Sequence, residues 1–165
     1  MPAKFTKTIF PGTFDPITNG HLDLIERGSR IFNEMVVSVL RNPDKNPLFT
    51  LAERVEMLRE VTASLGNVTV KAFDGLLVDH AHECGAGAIL RGIRAISDYE
   101  YELQMALMNR RLAPGVEIVF MMPAQEYTFL SSRLVKEVFL LGGNVEGLVP
   151  PVVLERLRLK AAVPL

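Results

Sequence analysis

The chain is constrained most by one junction. An apolar, strand-like run from Thr6 to Phe10 passes into an apolar-periodic helix through Pro11-Gly12-Thr13-Phe14-Asp15-Pro16-Ile17-Thr18-Asn19-Gly20-His21. Beyond it Leu22, Ile25 and Phe32, with Ile31 alongside, recur at helical spacing. A turn that opens a helix presents unpaired backbone N–H groups and the positive end of the helix dipole, which together suit phosphate oxygens. Gly12 and Gly20 permit close backbone approach and Thr13 adds a hydroxyl. His21 falls in the first helical turn, where its ring can face a bound anion. Taken alone, the same turn would also serve as a plain strand-to-helix connection whose histidine caps or packs.

The rest of the chain alternates in the same manner. Met35 to Leu40 is a β-branched run suited to a buried parallel strand, and a polar, proline-punctuated loop follows from Arg41 to Leu48. Thr50 with Glu53 forms a capping box for a helix carrying Val55, Leu58 and Val61 on one face. Val68 to Phe73 reads as a third strand, Leu76 to Glu83 as a short helix stopped by Gly85, and Ala88 to Leu90 as a fourth strand. Ser97 with Glu100 is expected to cap a helix that runs to about Leu112, where Pro114-Gly115 breaks it. Val116 to Met122 is a fifth strand, Ser131 to Leu141 a helix ended by Gly142-Gly143, and Pro150-Pro151 opens a last helix. This alternation predicts an α/β fold, a doubly wound parallel five-stranded sheet with helices on both faces, forming one domain over residues 1–165. Ligands of such sheets bind beyond the carboxyl ends of the strands, near the switch in strand order. The first turn and the loops after strands two, four and five lie at that edge.

Charge and cysteine content exclude several classes. The 18 basic side chains are balanced by 19 acidic ones, against a protein that coats nucleic acid. Cys84 is the only cysteine, so an intrachain disulfide and a Cys-based zinc site are both excluded, in keeping with a reducing cytoplasm. The first residues lack the apolar core of a secretory signal, and no run reaches the ~18 apolar residues of a membrane span, so a soluble cytoplasmic protein is expected. Hydrophobic residues make up 48% of the chain, with 7 methionines, and self-association is the simpler reading of that surplus, although a well-filled monomer core would account for it too.

Further candidates emerge at the same sheet edge. Arg91 and Arg94, in Arg91-Gly92-Ile93-Arg94, follow the fourth strand, and guanidinium forks match phosphate geometry. A lone Arg-x-x-Arg would be a solvated surface pair, and Glu102 a solvated helix carboxylate; the position beside the first turn favours phosphate for the arginines. Lys45, in the loop after strand two, carries a mobile ammonium. Ser131 and Ser132 add two hydroxyls at a helix start, a second anion cradle or a plain N-cap. Leu76, Leu77, Met105 and Asn109 read as core on spacing alone. His80 and His82, two apart on a short helix, are poorly placed to share a metal and read as structural or surface residues.

Thr18-Asn19-Gly20-His21 resembles the Thr/His-x-Gly-His signature of the nucleotidyltransferase superfamily. The longer string from Pro11 to His21, the Arg91 to Glu102 segment and Tyr127-Thr128-Phe129-Leu130-Ser131-Ser132-Arg133-Leu134-Val135-Lys136 resemble the phosphopantetheine adenylyltransferase family, and the likeness runs from Ile9 through Lys136. The resemblance implies a Rossmann-like nucleotidyltransferase fold and transfer of the adenylyl group of ATP to 4′-phosphopantetheine. The products would be dephospho-coenzyme A and pyrophosphate, formed with magnesium (Mg2+) in coenzyme A biosynthesis. It implies a homohexamer, with coenzyme A as feedback inhibitor. By the same resemblance His21, Thr13 and Lys45 serve catalysis, and Thr13, Lys45, Leu77 and Arg91 contact phosphopantetheine. ATP contacts fall on Thr13, Phe14, His21, Gly92, Ile93, Arg94, Glu102 and the run from Tyr127 through Arg133, and no residue is assigned as a metal ligand. Three positions depart from the family pattern. Asn46 replaces the second residue of a Lys-Lys pair, and Arg133 stands where a small hydroxyl residue is usual, with Lys136 at the place of a final arginine. Another adenylyl- or cytidylyltransferase, or a non-catalytic nucleotide sensor, would share the phosphate turn.

Overall fold

Strand runs that are apolar at every position must be covered on both faces, which a parallel sheet between helix layers achieves. The computed structural model describes residues 6–41 and 46–162. Strands β1 (Lys7–Gly12), β2 (Glu34–Leu40), β3 (Val68–Phe73), β4 (Ala88–Gly92) and β5 (Glu117–Met121) pair in parallel in the order β3-β2-β1-β4-β5. Among the described residues the helices are α1 (Asn19–Ile31), α2 (Leu51–Val61), α3 (Leu77–Glu83), α4 (Ile96–Leu112), α5 (Ser132–Leu140) and α6 (Pro151–Ala162).

Successive residues of a strand face opposite ways, and the buried side chains sort accordingly. Phe10, Val37 and Leu90 pack with Leu24 and Ile25 of α1, Leu58 of α2 and Val153 and Leu157 of α6. Their neighbours Ile9, Val36 and Ile89 turn to the other face, under Val78 and Ala81 of α3 and with Ala113 and Val116. The doubly wound sheet expected from the alternation is therefore present, helices on both faces included. His80 is buried and structural, as its spacing suggested. Its Nε2 lies 2.8 Å from the Ser38 hydroxyl and its ring stacks on Phe73 at 4.4 Å.

The helix starts show where local signals held and where they did not. At α2 the reciprocal cap forms: the Glu53 N–H donates to the Thr50 hydroxyl at 3.2 Å, and the Thr50 N–H to the Glu53 carboxylate at 2.7 Å. The box expected of Ser97 and Glu100 does not form. Helix α4 begins earlier, with Ala95 at the cap position, and the Asp98 carboxylate accepts the Arg94 N–H at 3.2 Å instead. The fourth strand also runs past Leu90 to Gly92, so Arg91 is held by the sheet rather than by a loop. Gly92 lets α1 pack close, since a Cβ there would lie 2.6 Å from Leu24 Cδ1 and would force that side chain to shift.

Replacing Thr50 with alanine removes one half of the α2 cap and should cost about 1 kcal/mol. Urea denaturation would report this as a lower midpoint at an unchanged slope; an unmoved midpoint would show the cap to be dispensable.

Candidate active site

Beyond the carboxyl ends of β1 and β4, where the strand order reverses, two cavities open. The first, of about 280 Å³, is lined by Phe14, Thr18, Gly20, His21, Gly92, Arg94, Tyr127, Leu130, Ser131 and Ser132 among others. The second, of about 550 Å³, is more apolar, with Phe73, Leu76, Leu77, Met105, Asn109 and Ile118 on its walls. Pro11, Gly12, Thr13, Arg91 and Glu102 line both, so the cavities share a wall made from the end of β1, the end of β4 and one turn of α4. Leu76 and Met105, core by spacing, are in fact 56% and 38% exposed, and both line that second cavity.

The turn after β1 starts α1 one residue after Thr18, and His21 occupies the capping-box position that glutamate usually takes. The Thr18 N–H donates to His21 Nδ1 at 3.1 Å, while the Thr18 hydroxyl accepts from the His21 N–H at 3.4 Å. An Nδ1 that accepts leaves the ring proton on Nε2, so neutral His21 is a hydrogen-bond donor on the cavity wall. Its ring is braced by the edge of Phe14, centroids 5.2 Å apart, and Phe14 in turn meets Phe10. Burial, aided by the charges of Arg94 and Arg91, holds the His21 pKa down at about 4, against an ordinary value of 6.5.

Each arginine is oriented by a carboxylate. Arg91 is half-buried and directs Nε at 2.9 Å and a second guanidinium nitrogen onto Glu102, itself 8% exposed, with a longer contact to the Pro11 carbonyl. Glu102, expected as a contact of ATP, thus also fixes the plane of the guanidinium that faces both cavities. Arg94 is held by Asp98 at 3.1 Å and donates to the Leu130 carbonyl at 2.7 Å, joining the β4 and β5 loops. Asp98 went unnoticed as a site residue, although its spacing of four from Arg94 was a usable signal.

Helix α5 brings its N-terminus to the first cavity. Ser131 is its cap, accepting from the Leu134 N–H at 3.1 Å, and Ser132 donates its hydroxyl to the Pro16 carbonyl at 2.6 Å. The hydroxyl proton of Ser132 is therefore engaged by the turn after β1, and the cradle here consists of backbone N–H groups with the Ser131 hydroxyl. Tyr127 and Leu130 reach the wall, Tyr127 from a short 3₁₀ turn that the periodicity did not reveal. Ile93, Thr128, Phe129 and Arg133 line neither cavity, and Arg133 is exposed. Lys136 pairs with buried Asp15 at 2.7 Å. Lys45 lies outside the described residues.

Titration of His21 followed by NMR should give a midpoint of about 4 in the free protein; a midpoint at the ordinary 6.5 would contradict the half-buried, neutral ring. The folded value lies below the unfolded one, so the unfolded chain binds the proton first as pH falls. The contribution of neutral His21 to stability is thus complete above pH 6.5 and is lost as pH falls toward 4.

The arrangement has counterparts among known proteins. A cytidylyltransferase-like family model matches residues 9–138. A phosphopantetheine adenylyltransferase from Alkaliphilus metalliredigens is 53% identical over 153 residues, covering 93% of this chain and 98% of the relative. One from Heliobacterium modesticaldum is 55% identical over 152 residues, covering 92% and 90%. A solved structure from Vibrio parahaemolyticus, described as that of a candidate nicotinate-nucleotide adenylyltransferase, aligns with TM-score 0.64 over 90% of this chain and 89% of that one, and at 14% identity it shares the fold alone. Similarity of this extent, running through the turn, the β4 arginines and the start of α5, makes the chain a member of the phosphopantetheine adenylyltransferase family.

Proposed function

We propose that the two cavities take the two reactants of one adenylyl transfer, ATP in the first and 4′-phosphopantetheine in the second, and that the chain releases dephospho-coenzyme A and pyrophosphate. One observation carries the assignment of sites: Thr13 and Arg91 stand on the wall common to an N–H-lined cavity and an apolar one. A phosphate at the end of an apolar pantetheine arm would lie against Arg91, and the α-phosphate of ATP would meet it across Thr13.

A phosphate monoester has a second pKa of ~6 and is largely dianionic at neutral pH, so the attacking oxygen needs no strong base. The work left to the chain is in-line placement and stabilisation of charge on the α-phosphate and the departing pyrophosphate. Neutral His21 donates from Nε2, Thr13 from its hydroxyl, and Arg94 with Ser131 and the backbone N–H groups around Ser132 holds the triphosphate. Leu77, Met105 and Asn109 flank the pantetheine arm, and Lys45 has the substrate contact that the family resemblance gives it. Among the described residues no group of three or more histidines, cysteines and carboxylates is placed to hold a metal, and Asp98 and Glu102 are engaged by arginines. On this reading magnesium comes with the substrate, bound to triphosphate oxygens and water.

The wider reading includes a homohexamer, inhibition by coenzyme A and a cytoplasmic location. Ile96, Leu107, Met108 and Leu112 of α4 are each more than half exposed, which supports coverage by other subunits. Coenzyme A contains the same pantetheine arm and would compete for the second cavity. No helix among the described residues is long and apolar enough to cross a membrane, and Cys84 is free and buried. Sedimentation tests the assembly, and titration with coenzyme A tests inhibition.

With ATP, magnesium and each candidate acceptor in turn, pyrophosphate should appear with 4′-phosphopantetheine; release only with nicotinamide mononucleotide or glycerol phosphate would overturn the acceptor assignment. In the same assay His21→Ala should lower kcat by a factor of several hundred, ~3–4 kcal/mol of barrier. A raised KM at unchanged kcat would reduce His21 to a ground-state contact.

A further inference from the structure

Arg54 lies on α2, is 2% exposed and touches no part of the two substrate cavities. A buried guanidinium is costly unless its charge and its N–H groups are met, and here they are met in a particular way. One terminal nitrogen donates to the Thr13 carbonyl at 2.7 Å and to the Leu40 carbonyl at 3.1 Å, and Nε donates to the Phe49 carbonyl at 3.2 Å. The acceptors come from three separate segments: the turn after β1, the end of β2 and the approach to α2. The opposite charge is Asp15, 3% exposed, whose carboxylate accepts the Leu48 and Phe49 N–H groups at 2.9 and 2.8 Å and pairs with Lys136. A small cavity of about 180 Å³ is bordered by Thr13, Asp15, Arg54, Ser132 and Lys136.

Packing alone does not call for this side chain. Its buried neighbours Met57 and Leu58 fill the α2 face without any polar group. What arginine adds is a planar fork that reaches several carbonyls at once. The Thr13–Phe14 peptide is trans, so its C=O and N–H point in opposite directions. With the Thr13 carbonyl anchored on Arg54, the Phe14 N–H points away from Arg54, and Phe14 lines the first cavity. Phe14 has φ of 51°, a left-handed backbone that a non-glycine residue keeps only where its surroundings impose it.

We propose that Arg54 is a positioning residue for adenylyl transfer: its grip on the Thr13 carbonyl sets the Thr13–Phe14 peptide, so that the Phe14 N–H and the Thr13 side chain are aimed at the reacting phosphates. This rests on the reading of the first cavity as the triphosphate site. Arg54 itself touches neither reactant.

Arg54→Lys keeps the charge opposite Asp15 and loses the fork. The expected result is a thermal midpoint close to wild type, kcat lower by about a hundredfold, as for a displacement of about 1 Å at the reacting centre, and little change in KM for 4′-phosphopantetheine. Wild-type kcat in a folded Arg54→Lys protein, or a change confined to KM, overturns the role of Arg54 while the active wild type upholds the site. A wild type that turns over no substrate overturns the site assignment itself. Should Arg54→Lys not fold, hydrogen exchange at the Phe14 amide of the wild type decides the matter: magnesium-ATP should slow it, and unaltered exchange refutes the proposal.

Discussion

The position of β1 between β2 and β4 is the constraint on which the site depends. From β1 the chain steps outward to β2 and β3 on one side, then must cross back to lay β4 and β5 on the other. Right-handed crossovers taken in opposite directions send their helices to opposite faces of the sheet. Thus α1 packs with the cluster around Phe10 and Leu90, and α3 with the cluster around Ile9 and Ile89. The carboxyl ends of β1 and β4 are left adjacent, and the two cavities occupy that place. Pro11, Gly12 and Arg91 stand in both walls because they are the last residues of neighbouring strands.

Within this gap charge is compensated almost everywhere. Arg91 faces Glu102, Arg94 faces Asp98 and Lys136 faces Asp15, and the histidine is neutral at ordinary pH. Among the described residues, attraction for the proposed triphosphate would therefore come from oriented dipoles, chiefly the starts of α1 and α5, and from guanidinium protons that their carboxylates do not use. Groups held in advance by their own partners need no reorganisation when charge develops on a substrate. An overall formal charge of -1 agrees with this design, which relies on local geometry rather than on a field spread over the whole surface.

Most of the fold was legible because strand runs and helix stripes are local patterns. Val68 to Phe73 and the Thr50 cap are dictated within a few residues, and both appear where the sequence put them. The Ser97 cap was misread because a Ser-x-x-Glu spacing cannot report that Asp98 is already drawn to Arg94 and that the helix starts before it. At the site, His21, Arg91 and the α5 serines were legible as residue types beside a turn, whereas their partners were not. Glu102 reaching back to Arg91, Ser132 reaching Pro16 and Arg54 reaching Thr13 span 11, 116 and 41 positions, distances over which no periodicity carries information. Leu76 and Met105 were ambiguous for a related reason: an apolar stripe looks the same whether it faces a core or a groove.

The shared wall also bears on how the chain divides its labour. Chemistry between a phosphate dianion and an α-phosphate is opposed chiefly by the approach of two negative groups, and neither needs a proton moved before they meet. A side chain that titrates near neutrality would therefore add pH sensitivity without supplying a needed step. The structure has instead a histidine whose Nδ1 is committed to the Thr18 N–H and whose pKa lies near 4, together with arginines that do not lose their charge in water. His21 is then in one protonation state over the physiological range. What remains for such a site to control is distance, and the part-buried hydrogen bonds behind Thr13 and Arg91 are the means we propose for it.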